Sequence, residues 1–130
     1  MELIRRVPLF AACSKRELAE IASLADELVV EEGRVLIEEG RRGREFIILI
    51  EGSVDVRRGG RKVRTLTDGD FFGEIALVSN APRTATVTTT SPARILVIVD
   101  RAFGGLLQRS PGIQQKVLET LALRLAPETV

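Results

Sequence analysis

Histidine is absent from the 130-residue chain, and so are tryptophan and tyrosine. Without imidazole, the chain can build neither a Ser-His-Asp triad nor a metal site that depends on histidine ligands. Because Cys13 is the only cysteine, an internal disulfide and a thiolate metal cluster are excluded as well. Cys13 is interpreted as a small buried apolar residue, since no histidine can activate its thiol. The composition therefore argues against an enzyme.

A strong charge of either sign and a long apolar run are also lacking. Nineteen lysines and arginines face 18 acidic residues, so the formal net charge is +1, whereas non-specific nucleic-acid binders carry a basic excess. The longest apolar runs, such as residues 46–50, contain five residues, far fewer than the roughly 20 that span a bilayer. No apolar signal core is found near the N-terminus. We predict a cytoplasmic protein that on its own binds neither nucleic acid nor a membrane.

The chain is expected to form a single domain over residues 1–130, because its 45% apolar and 28% charged residues are ordinary globular composition. Three blocks are predicted: a helical part at 9–27, a strand-rich part at 28–99 and a helical end at 100–126. Ser14 and Glu17 have the spacing of a capping box and mark the start of the first helix.

Short strands separated by glycine make up the middle block. The predicted strands are Leu28–Val30, Val35–Glu38, Phe46–Glu51, Ser53–Arg57, Lys62–Leu66, Thr84–Thr90 and Arg94–Val99. Gly59-Gly60 suits a two-residue hairpin turn because glycine tolerates positive φ. Val54 and Val56 alternate with polar residues, as in a strand with one buried face. Strands of this length and spacing are typical of an antiparallel roll, sandwich or barrel.

The final block contains two predicted helices. Asp100 is expected to cap the first of them, Ser110-Pro111 to begin the second and Pro127 to end it. The second helix carries an apolar stripe formed by Ile113, Val117, Leu118, Leu121 and Leu125. This stripe either packs on the roll, forms a dimer interface or covers a ligand.

Residues 69–87 do not fit the strand pattern. Gly73 begins a turn of helical character, whose unpaired N–H groups attract anions. Arg83 lies among small residues, where a guanidinium can bind a phosphate through two hydrogen bonds, and Thr84 adds a hydroxyl. Glu74 would repel a phosphate and instead suits sugar hydroxyls. The segment therefore predicts a sugar-phosphate site, and the alternative is a structural ion pair between Glu74 and Arg83.

Two stretches of this segment, Phe72-Gly73-Glu74-Ile75-Ala76-Leu77 and Pro82-Arg83-Thr84-Ala85-Thr86-Val87, resemble the phosphate-binding cassette of the cyclic nucleotide-binding domain family. The resemblance covers almost the whole chain, with the cassette at residues 72–87. It implies a mainly β fold with flanking helices: an eight-stranded antiparallel, jelly-roll-like β-roll with an N-terminal helix and C-terminal helices.

The resemblance also implies roles for individual residues. Arg83 would pair with the cyclic phosphate, and Glu74 would accept a hydrogen bond from the ribose 2′-hydroxyl. Gly73, Ile75 and Ala76 would offer backbone contacts, Thr84 would contact the phosphate or the purine, and Val56, Val63 and Arg64 would line the base pocket. In the last helix, Arg124 would stack on the base by a cation–π contact, or Leu121 and Leu125 would cover it.

The implied function is regulatory binding of cAMP or cGMP, with cAMP favoured, and with no catalytic residue, metal or cofactor. Occupancy would be relayed through the C-terminal helices to an effector domain or partner protein outside this chain. The alternative is a ligand-free protein-interaction or dimerisation module on the same fold. A homodimer through the last helix is a further expected partner. An enzyme on a similar roll, such as a metal-dependent cupin, would need histidine ligands.

Overall fold

The computed structural model describes residues 10, 13–73 and 81–125, and for residues 100, 117, 120, 121 and 123–125 it describes the backbone only. This part of the chain contains three helices and eight strands. They are α1 (Lys15–Leu24), β1 (Asp26–Val30), β2 (Val35–Ile37), β3 (Glu45–Glu51), β4 (Val54–Arg58), β5 (Arg61–Leu66), β6 (Phe71–Phe72), β7 (Thr86–Thr89), β8 (Ala93–Val99), α2 (Asp100–Arg109) and α3 (Pro111–Leu125). The predicted fold class, mainly β with flanking helices, is confirmed.

The strands form two antiparallel sheets of four strands each, in the orders β1-β8-β3-β6 and β2-β7-β4-β5. Strand β3 is buried on both faces, which explains the uninterrupted apolar run at residues 46–50. On one face, Phe46, Ile48 and Ile50 pack with the helices. On the other face, Ile47 and Leu49 pack with residues of the second sheet. The first sheet therefore separates a helical layer from the second sheet.

Each of the seven predicted strands differs from the observed one by one or two residues at one or both ends, and an eighth strand was not predicted. The roll begins at Asp26 rather than Leu28, because Asp26 and Glu27 pair with Val97 and Leu96 of β8. Strand β6 was not predicted, since two residues are too few to show alternation, yet both pair with β3. Strand β7 begins at Thr86, so the prediction that a strand includes Thr84 was wrong.

The helix ends are set by local hydrogen bonds. The capping box is confirmed: Glu17 N donates to Ser14 Oγ (3.1 Å), and Ser14 N donates to Glu17 Oε1 (2.8 Å). Asp100 does not cap α2, because it is already helical and Val99 occupies the N-cap without a side-chain hydrogen bond. Helix α3 begins at Pro111 as predicted. Pro127 lies outside the described residues.

Cys13 was predicted to be buried. In the structure it is only partly buried, against the helical core. Burial raises the pKa of its thiol, with a smaller contribution from the negative charge of Glu17 in the same direction. Both effects disfavour the thiolate, so the side chain is a protonated thiol at neutral pH. This supports the interpretation of Cys13 as a packing residue.

Candidate functional site

Arg83 lies in the loop before β7, and its side chain is 8% exposed. Two backbone hydrogen bonds position this loop against the connection between β2 and β3. Arg83 N donates to Arg41 O (2.8 Å), and Gly40 N donates to Arg83 O (2.9 Å). The guanidinium is therefore directed into the fold and away from bulk solvent.

The described contacts of the guanidinium are all with oxygen atoms. Its Nη2 donates to the backbone oxygen of Glu45 (2.9 Å) and to Oε2 of the same residue (3.2 Å), while Nη1 donates to Gly73 O (3.5 Å). The structure thus brings together Arg83 and Gly73, which were predicted site residues, with Glu45, which was not. Glu45 immediately precedes the buried run of β3, and no local pattern connects it with Arg83.

Two glycines make space for the guanidinium. A Cβ at Gly43 would lie 2.5 Å from Arg83 Nε, closer than real side-chain contacts allow. Gly73 has φ +86°, and a Cβ there would lie 2.7 Å from Glu45 O and 3.2 Å from Arg83 Nη1. Gly73 therefore meets both a conformational and a steric requirement, while Gly43 meets a steric one.

The segment after Arg83 is tied to the hairpin formed by β4 and β5. Arg58 Nε donates to the carbonyl of Thr84 (3.1 Å). Thr84 itself is exposed. The turn of this hairpin has positive φ at both Gly59 and Gly60, as predicted. Gly59 N in this turn donates to Glu39 Oε1 (2.9 Å), so the hairpin contacts both the connection between β2 and β3 and the loop that carries Arg83.

Of the three residues predicted to line a base pocket, Val56 and Arg64 are paired directly across β4 and β5, and Val56 also pairs with Val87 of β7. Directly paired residues lie on the same face of a sheet. Val63 is the extra residue where the register shifts, at a β-bulge, and is 47% exposed. Arg64 is exposed, and its side chain has no hydrogen-bond or ion-pair partner in the described part of the chain.

The model of the cyclic nucleotide-binding domain family matches residues 27–110 of this sequence. The chain belongs to the cyclic nucleotide-binding domain family. Apart from Asp26, the first residue of β1, the match includes all strands of the two sheets, the loop of Arg83 and helix α2. The predicted family membership is therefore confirmed.

Known proteins similar to this domain include a cAMP-dependent protein kinase regulatory subunit of Mycosarcoma maydis, which is 41% identical over 85% of this chain and 23% of its own length. The catabolite activator protein of Thermus thermophilus has the same fold, with a TM-score of 0.83 at 24% identity over 91% of this chain and 58% of its own. A cAMP-bound structure of PfPKA-R gives a TM-score of 0.79 at 27% identity over 93% of this chain and 45% of that chain. The domain thus spans about a quarter of the kinase regulatory subunit.

Part of the predicted cassette cannot be placed in this cyclic nucleotide-binding domain. Glu74, Ile75 and Ala76 lie outside the described residues, and so does the side chain of Arg124. Their predicted roles, and the alternative ion pair between Glu74 and Arg83, stay predictions.

None of the described acidic or cysteine side chains gathers into a group of three or more that could hold a metal ion. None of the described helices is long and apolar enough to cross a membrane.

Replacing Gly73 with alanine is expected to destabilise the domain more than replacing Gly33 does. Both glycines have φ +86°, but a Cβ at Gly33 meets nothing within 4 Å. Gly33→Ala should lower the free energy of unfolding by about 1–2 kcal/mol, because alanine is strained in the left-handed conformation. Gly73→Ala should lower the free energy of unfolding by a further ~1–3 kcal/mol, the usual cost of overpacking, because its Cβ would collide with the backbone oxygen of Glu45. Urea denaturation measures both, and equal losses would contradict the close packing around Arg83.

Proposed function

We propose that this domain binds a cyclic purine nucleotide, with the cyclic phosphate bound by Arg83. The observation that carries the proposal is the inward-directed guanidinium of Arg83, which lies against Gly43 and Gly73 and has side-chain exposure of only 8%. A buried cation needs a counter-charge, and the one described for Arg83 is the half-exposed carboxylate of Glu45. A guanidinium with two donor atoms in one plane matches phosphate geometry.

The other predicted roles complete the proposed site. Glu74 accepts from the ribose 2′-hydroxyl, Gly73, Ile75 and Ala76 offer backbone donors, Thr84 contacts the phosphate or the purine, and Val56, Val63, Arg64 and Arg124 contact the base. The pairing of Val56 with Arg64 supports a shared position for these two in the base pocket. Arg64 can donate to N7, an acceptor that adenine and guanine share. The preference for cAMP over cGMP is supported by the relatives, which include a cAMP-dependent regulatory subunit and a cAMP-bound structure.

The proposed output is a shift of α2 and α3 against the roll, with the nucleotide released unchanged. The contact that would carry it begins beside the site. Phe46 directly follows Glu45 in β3, and its ring stacks on Phe103 of α2 with ring centroids 4.4 Å apart. The contact between Arg83 and Glu45 is thus one residue away from the interface between strand and helix. The effector would be a domain or partner outside these residues.

A homodimer through α3 is the second candidate. Leu118 of this helix is 54% exposed, which leaves a large apolar side chain available to a second copy. Sedimentation of the chain and of Leu118→Glu, with and without cAMP, tests this candidate separately from nucleotide binding.

Calorimetric titration tests the proposed function. We expect cAMP to bind, cGMP to bind more weakly and adenosine, which has no phosphate, to give no measurable binding. After incubation, chromatography should recover cAMP intact. Failure of both cyclic nucleotides to bind at millimolar concentration would contradict the proposal, and hydrolysis of either one would contradict the assignment as a binding domain.

A further inference from the structure

Glu45 engages the guanidinium on which the proposed function depends. Nη2 of Arg83 carries two hydrogens and has two acceptors at hydrogen-bonding distance, the backbone oxygen and the carboxylate of Glu45 (2.9 and 3.2 Å). Nη2 therefore has no donor left for another ligand while both contacts persist.

This arrangement prevents two-pronged phosphate binding. A guanidinium presents two pairs of parallel N–H groups, one formed by Nε and Nη2 and the other by Nη1 and Nη2. Both pairs include Nη2, so a phosphate can form two parallel hydrogen bonds with Arg83 only after one oxygen of Glu45 withdraws.

The carboxylate is the oxygen that can leave. The backbone of Glu45 is fixed in β3, where it pairs with Val99 of β8. Its side chain, by contrast, is 49% exposed and can turn into water. Besides Arg83, the described contact of this carboxylate is with the neighbouring Arg44 N, which donates to Oε2 (3.1 Å).

We propose that the Glu45 carboxylate is an internal competitor that occupies the phosphate position on Arg83 until a nucleotide displaces it. The inference rests on the proposed function for the identity of the nucleotide. It makes Glu45 a specificity-determining residue: a ligand must bind Arg83 more strongly than a neighbouring carboxylate does. Weakly binding anions are therefore rejected, and a cyclic phosphate with further contacts to its sugar and base is accepted.

Glu45→Gln tests the proposal, since glutamine keeps the shape and a hydrogen-bond acceptor but removes the charge. Calorimetry should show cAMP binding about two- to five-fold tighter, the range expected for loss of a partly exposed ion pair. Glu51→Gln is the matched control. It alters an exposed carboxylate at the other end of β3, and Glu51 has no side-chain partner among the described residues. The affinity of Glu51→Gln for cAMP should equal that of the wild type. When Arg83→Ala is also present, Glu45→Gln should not increase the affinity for cAMP.

A second arm uses inorganic phosphate and follows the Nε–H resonance of Arg83 by NMR, so it does not depend on nucleotide binding. Phosphate should shift this resonance at lower concentration in Glu45→Gln than in the wild type or in Glu51→Gln. If cAMP fails to bind any variant but the phosphate response still differs, the proposed function fails and the competitor role stands. Unchanged or weaker phosphate binding in Glu45→Gln, with the melting temperature preserved, would show that Glu45 supports Arg83 and would overturn the proposal.

Discussion

Replacing Arg83 with alanine is expected to weaken cAMP binding by about 2–5 kcal/mol, the range for truncating one partner of a buried charged contact. The corresponding rise in Kd is about 30-fold to several thousand-fold. The effect is large because the side chain is 8% exposed, so little water is present to replace it as a donor to the phosphate. Calorimetric titration of both proteins measures the difference.

Two variants make this result specific. Arg61→Ala removes the same charge from an exposed position of β5 that has no described side-chain partner, and it should leave the affinity almost unchanged. Arg83→Lys keeps the charge but loses the planar pair of donors, so its affinity should fall between those of wild type and Arg83→Ala. If Arg83→Ala is folded and binds cAMP as tightly as the wild type does, Arg83 does not contact the nucleotide.

Replacing Phe46 with alanine is expected to lower the free energy of unfolding by about 3–5 kcal/mol, as for other large-to-small changes in a core. Phe46 is fully buried. Its ring stacks on Phe103 at an interplanar angle of 17° and contacts Phe71 with centroids 5.3 Å apart. Truncation would leave a cavity where β3, β6 and α2 meet. Urea denaturation monitored by circular dichroism measures the loss.

Val29→Ala provides the comparison for Phe46→Ala. Val29 is on edge strand β1 and is 76% exposed, so its truncation should change stability by less than about 0.5 kcal/mol. A loss below about 1.5 kcal/mol for Phe46→Ala would mean that the aromatic contacts do not join the roll to α2 as described.

Features with a local cause could be predicted from the sequence. The capping box of Ser14 and Glu17 lies within one turn of helix, and the Gly59-Gly60 turn needs only positive φ at two adjacent residues. Both depend on chemistry a few residues apart, so their patterns are visible in any short window. The departure of residues 69–87 from the strand pattern was also visible in the sequence, and Arg83 lies in a loop of this segment, before β7.

Features that depend on tertiary contact could not be predicted. The carboxylate of Glu45 meets a guanidinium 38 residues later in the sequence, and no spacing rule relates the two. The bulge at Val63 arises from the register of β4 against β5, which alternation within one strand does not fix. Strand β6 exists because β3 offers it a partner. In each case the cause lies in a second segment of the chain.

A crystal structure of the domain grown with cAMP tests the central claim most directly. The account predicts phosphate oxygens at about 2.7–2.9 Å from two nitrogen atoms of Arg83, the usual length of such charged hydrogen bonds. A nucleotide bound elsewhere, with its phosphate remote from that guanidinium, would contradict the account.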